Sequence, residues 1–178
     1  MRSLLITLSL ASALAPVRGT TLERLPLAEM SQKSTAIVRA RVVGSSGVLR
    51  GADVYTMYQI EIVENWKGNG KSLPVQIAVP GGVAGGLRQM VAGAPSLHVG
   101  EEYVMFLWSG RSGLTQLIGL SQGLFTVQRS GAGDQAAMRA AAGELMLDAN
   151  GHAVKDEAVS MKLSDLKAQV SRALSGEK

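Results

Sequence analysis

The stretch Ala36-Ile37-Val38-Arg39-Ala40-Arg41-Val42-Val43 alternates with a period of two. Ala36, Val38, Ala40 and Val42 share one side, and Ile37, Arg39, Arg41 and Val43 the other, so one face is apolar and the opposite face carries charge. That pattern specifies a β-strand with one face on a core. Gly44-Ser45-Ser46-Gly47 is read as the break that ends it. A second long strand is expected from Val54 to Trp66, with Val54, Thr56, Tyr58, Ile60 and Ile62 on one side. Lys67-Gly68-Asn69-Gly70-Lys71 forms a tight connection to a third alternating strand, Leu73 to Val79, whose neighbours Pro74 and Pro80 point to an edge or strand-end position.

Working outward, Tyr103 to Trp108 is a nearly unbroken apolar run of strand length, the pattern of a strand buried on both sides. Leu114 to Ile118 and Leu124 to Gln128 complete a set of short strands separated by glycine-containing turns. The intervening Gly81 to Gly100 is long for a turn and rich in glycine, so part of it, near Leu87 to Val91, is expected to pair, and the rest is a candidate functional loop. Beyond Ser130 the pattern weakens. Asp134 to Ala142 is alanine-rich and reads as a helix or a tether, whereas Asn150-Gly151, flanked by Leu145, Leu147 and Val154, reads as a small hairpin.

Two helices frame the strands. A short one precedes them, with Pro26 suited to its first turn and Leu27 and Met30 on one side. The C-terminal one has Ser164 as its expected N-cap, Asp165 in the first turn, Arg172 in the last and Gly176 past the end, with Leu163, Leu166, Val170 and Leu174 as its apolar stripe. The fold class expected is mostly β, an antiparallel barrel flanked by a short N-terminal helix and an amphipathic C-terminal helix.

The chain's start has the layout of a cleaved secretory signal. Arg2 is followed by the uncharged run Ser3 to Ala15, and Val17 and Gly19 suit a peptidase cut before Thr20; Ala13 and Ala15 offer alternative cuts. The run is shorter than the roughly 20 residues that span a hydrocarbon core. Residues 1–19 are therefore assigned as signal, 20–130 as the β-domain with its helix, and 131–178 as an extension whose hairpin and helix pack on that domain. The expected location is outside the cytoplasm, periplasmic or extracellular. The chain has no cysteine, so it carries neither a disulfide nor a lipid-attachment thiol.

The formal charge of +4 falls to +2 once Arg2 and Arg18 leave with the signal, and the remaining Lys and Arg are scattered, which argues against nucleic acid as a partner. Three tempting motifs are set aside for physical reasons. Gly119-Leu120-Ser121-Gln122-Gly123 matches the G-x-S-x-G of hydrolase nucleophile elbows, and Asp148 and His152 follow in order, but the elbow needs a helix where Leu124 to Val127 continues as strand. Gly70-Lys71-Ser72 likewise resembles the end of a phosphate loop without the helix that orients its N–H groups. With His98 and His152 as the only histidines and no cysteine, no zinc set is assembled, and no metal or cofactor is expected.

The runs Ala36 to Gly44, Tyr58-Gln59-Ile60-Glu61-Ile62 and Trp66-Lys67-Gly68 resemble the opening strands of netrin-like domains, the family that includes the tissue inhibitors of metalloproteinases. Glu101 to Phe106 followed by Gly113-Leu114 is similar to the later strand pair of the same domains. The resemblance spans about residues 36–128 and implies an OB-like closed barrel. It brings in a protease as one class of partner, yet those inhibitors chelate the protease zinc with an N-terminal cysteine, and the expected start here is Thr20-Thr21-Leu22. No inhibitory residue carries over. The strand–WKG–strand pattern is also similar to uncharacterised exported bacterial proteins.

The function expected from the sequence is non-enzymatic binding of an unidentified protein partner. The Gly81 to Gly100 loop is the expected contact surface, because glycines let a partner approach the backbone. Arg88, His98 and Trp108 are the candidate contacts, Trp108 reading first as a core residue. The alternatives are a small serine hydrolase using Ser121 and His152, and a carrier holding a small apolar ligand inside its barrel.

Overall fold

A computed structural model describes residues 21–130, 134–141 and 145–176; the expected signal, residues 1–19, lies outside the described residues. The elements are β1 (Thr21–Glu23), α1 (Leu27–Lys33), β2 (Ala36–Arg50), β3 (Asp53–Lys67), β4 (Gln76–Pro80), β5 (Gly82–Ala84), β6 (Leu87–Gln89), β7 (Glu102–Ser109), β8 (Thr115–Leu117), β9 (Leu124–Ser130), β10 (Asp134–Arg139), β11 (Leu145–Leu147), β12 (Ala153–Val154), β13 (Val159–Lys162) and α2 (Leu163–Ser175). Short 3-10 turns occupy Gly70–Ser72 and Leu120–Gly123.

The main sheet runs β13-β10-β9-β7-β2-β3-β4, with β8 also paired to β7, and every pairing in it is antiparallel. The fold is therefore mostly β, as expected, but no closed barrel forms among the described residues. The outer strands of the path are β13 and β4, and no ladder joins them. The expected edge position of the third strand holds: β4 ends the path, and Pro80, which has no N–H to offer, closes it.

β2 and β7 form the spine because both of their faces are buried. On one face Val38, Ala40, Val42, Met105 and Leu107 meet Tyr58, Ile60, Ile77 and Val79 from β3 and β4. On the other, Ile37, Val104 and Phe106 lie under α1 and α2 with Met30, Phe125, Leu166 and Val170. The apolar run in β7 is thus explained by two cores sharing one strand pair. Register shifts in β2–β3 between Ile37 and Val38, Arg39 and Ala40, and Val42 and Gly44 bend this ribbon around the first core.

Three expectations are corrected. Gly44 to Gly47 does not end the first strand: pairing continues to Arg50 opposite Asp53, and the turn is at Gly51-Ala52. A Cβ on Gly47 would overlap the Val83 carbonyl, so the glycine lets the β5 backbone pack directly against β2 rather than breaking the strand. Within the alanine-rich segment Asp134–Arg139 is a strand, not a helix or tether, because β10 is paired on both edges, with Ala137 buried beneath the helices and Met138 on the opposite face. At α2 the N-cap is Lys162, with no side-chain cap, and Ser164 sits inside the first turn; Gly176 supplies the expected left-handed C-cap at φ 75°. The hairpin around Asn150-Gly151 forms as expected from β11 and β12, and β1 joins it as a parallel third strand.

Candidate functional site

β4 and β8 lie side by side without a ladder. Four antiparallel steps, β4 to β3 to β2 to β7 to β8, make them run in the same direction. In antiparallel pairing alternate residues turn their N–H and C=O toward the partner and the rest turn away. Ile60 N–H donates to Val75 O at 2.9 Å and Gly81 N–H to Val54 O at 2.8 Å, so Ile77 and Val79 face β3 and Ala78 turns its main-chain groups toward β8. Gly110 N–H donates to Leu114 O at 3.1 Å and Ile118 N–H to Phe106 O at 2.9 Å. Gln116 therefore faces β7, and Thr115 and Leu117 turn theirs toward β4.

A recess of about 230 Å³ opens along this seam, walled by Ala78, Val79, Pro80, Pro95, Trp108 and the segment from Gln116 to Leu120. Val79, Pro80 and Pro95 also wall a shallower, more polar depression of about 370 Å³ that ends at Arg88, Gln89 and Met90. The two depressions share those residues as a common wall and together make a trough along β4, with Trp108 lining the first and Arg88 the second.

The three candidate contacts are placed differently. Trp108 is corrected from core to surface: it is 47% exposed and its ring lies against Gly110, where an added Cβ would come within 2.7 Å of it. Arg88, on β6, is exposed in the lining of the second depression and makes no ion pair among the described residues. His98 is outside it. Its N–H donates to Tyr103 Oη at 3.0 Å, Tyr103 donates to Glu101 Oε2 at 2.6 Å, and Leu97 N–H reaches Tyr58 Oη at 3.4 Å. Those bonds fasten the loop's end over the first core. Burial, with the Glu101 carboxylate beside it, pushes the Tyr103 phenol up to about 12.

The hydrolase constellation is not assembled. Ser121 Oγ is buried without a hydrogen-bond partner, so no base activates it. Asp148 and His152 belong to the β11–β12 turn, where Asp148 Oδ1 accepts from the N–H groups of Asn150 at 2.9 Å and His152 at 2.8 Å. The backbone bond from His152 is the main reason that its carboxyl is held below its ordinary range. The G-x-S-x-G segment is a turn between strands. Gly123 packs where a Cβ would meet the Ile118 carbonyl at 2.5 Å, and the buried Gln122 side chain accepts from Leu25 N–H and donates to Glu23 O, each at 2.9 Å.

Gln122 is the residue that sequence reading missed, since its partners lie 97 and 99 positions away. Gly70-Lys71-Ser72 forms a 3-10 turn leading to β4, with no helix to cradle phosphate. Among the described residues no group of three His, Asp or Glu is arranged to hold a metal, and no helix is long and apolar enough to cross a membrane. Compared with known protein families and with curated proteins, the chain matches none.

Proposed function

We propose that this is an exported, non-enzymatic binding protein that holds an extended segment of a protein partner in the trough along β4. One observation carries the reading: an apolar recess opens along the β4–β8 seam, where half-exposed Trp108 and Pro95 offer a surface for an apolar side chain. A recess of about 230 Å³ is below the range of drug-sized ligand sites and suits one large apolar side chain of a partner, seated against Trp108 and Pro95. Arg88 at the opposite end favours an acidic group further along the same segment.

An OB-like arrangement, open at the β4–β8 seam, is part of the proposal. The strand order β4-β3-β2-β7-β8 around one apolar core supports it, and barrels of that kind are often incompletely closed. Export is supported by the charge and apolar pattern of residues 1–19, and recovery of protein beginning at Thr20 supports it further, whereas recovery beginning at Met1 contradicts it.

Selection from a display library of random linear peptides tests the binding site. Convergence on a large apolar residue followed by an acidic one, with binding weakened about tenfold or more by Trp108→Ala, supports it. Selected peptides that bind Trp108→Ala as well as the parent protein contradict it.

A further inference from the structure

The β2–β3 and β5–β6 hairpins end at the same pole of the molecule. Gly47 touches Val83, and Gly85 lies by Leu49, so β5 runs alongside β2 in the same sense and brings its Gly85-Gly86 turn next to the Gly51-Ala52 turn. Gly85 and Gly86 have φ of 56° and 77°, the left-handed pair that a tight two-residue hairpin turn needs. Around these turns Val48, Leu49, Val83 and Leu87 are each between 36% and 62% exposed. Arg50 and Arg88 stand among them with no side-chain partner among the described residues, against one acid, Asp53.

From this pole we infer a second interaction surface, which docks on the headgroup layer of an anionic lipid bilayer. The four aliphatic residues do not share a face. Along β2, Val48 and Leu49 point to opposite sides of the hairpin, and Val83 lies with Arg88 on the side of β5–β6 opposite Ala84 and Leu87. A flat protein surface reaches only part of such a set, whereas a lipid interface surrounds the whole tip. The exposed tip side chains are aliphatic and cationic, with the half-buried Tyr55 paired opposite Val48 beside them. Arginines at the rim match anionic headgroups. The turn peptides keep their polar groups at headgroup depth, so the tips enter only the outer ~5–10 Å of the interface.

The absence of cysteine makes a local test clean. Leu87→Cys carries an environment-sensitive fluorophore, and Ala168→Cys on the exposed side of α2 carries the same label as a control. Protein recovered from producing cells is mixed with vesicles of phosphatidylcholine, with or without one quarter phosphatidylglycerol. The expected result is a blue shift at position 87 alone, on the anionic vesicles, reduced several-fold at about 1 M salt. Unlabelled Leu49→Ser/Leu87→Ser is expected to partition about tenfold more weakly while binding the selected peptides unchanged. No shift at position 87 overturns the inference, as does an equal shift on neutral vesicles. A shift that grows with protein concentration without vesicles overturns it in favour of self-association. Because Leu49 and Leu87 lie outside the Trp108 recess, loss of lipid binding and loss of peptide binding are separable outcomes.

Discussion

Replacing the two central residues of Gly119-Leu120-Ser121-Gln122-Gly123 one at a time separates a structural turn from a catalytic one. Ser121 Oγ is buried and unpartnered, so Ser121→Ala removes a hydroxyl whose unsatisfied burial costs about 1–3 kcal/mol and leaves only a small void in exchange. The expected effect on stability lies between no change and a gain of about 1 kcal/mol. Gln122→Ala does the opposite. It deletes two hydrogen bonds of 2.9 Å, each worth roughly 1 kcal/mol net, and empties a site that is 1% exposed, for a total loss of about 3 kcal/mol. In a domain of this size that lowers Tm by roughly 6–12 °C.

Urea and thermal unfolding followed by circular dichroism measure both effects. Trypsin adds a local readout, because Arg24 lies between the two residues that Gln122 clamps and is expected to become cleavable in Gln122→Ala before the domain unfolds. A neutral Gln122→Ala refutes the clamp. A Ser121→Ala protein that loses a hydrolytic activity present in the parent refutes the structural reading of the motif.

Two further outcomes follow from the ion pairs. Arg139 Nη2 bonds Asp156 Oδ1 at 3.0 Å with only 2% of the Asp156 side chain exposed, and the guanidinium lies 5.7 Å from the Phe125 ring centre. Asp156→Ala is expected to cost about 3–5 kcal/mol by stranding that charge; a urea midpoint unchanged from the parent contradicts this. At Glu102 burial alone raises the carboxyl, but bonds from Arg39 at 2.6 Å and Arg41 at 2.5 Å, with their charges, hold it below its ordinary value. Because the unfolded chain then binds the proton more readily, this stabilisation is present above the ordinary carboxylate range and is lost as pH falls through the folded value. Stability of the parent is expected to drop more steeply than that of Glu102→Gln from about pH 5 to about pH 3, and parallel profiles contradict it.

The strands that carry the core were legible because burial on one face imposes strict alternation, as from Ala36 to Val42, and burial on both imposes the apolar run of β7. Where local preference and tertiary pairing disagree, pairing wins. Alanines at 136 and 137 favour helix in isolation, yet β9 and β13 hold them in a sheet. Gly44 to Gly47 contains turn residues, yet β5 packed directly against β2 needs the bare backbone at Gly47. The trough was only half visible. Arg88 and Trp108 could be picked as polar or aromatic residues near a glycine-rich loop, but its wall combines residues 78–80, 95, 108 and 116–120, and only the topology brings those together. Gln122 gave no signal because nothing near it in sequence shows that residues 23 and 25 are its partners.

The binding reading is tested most directly by titrating ¹⁵N-labelled protein with a selected peptide and mapping the amide shifts. The largest changes are expected at the recess-lining amides of Ala78 and Leu117 and at the Trp108 indole. Changes confined to the far face of the sheet, around Glu64, Trp66 and Lys167, with the β4–β8 seam unmoved, would contradict it.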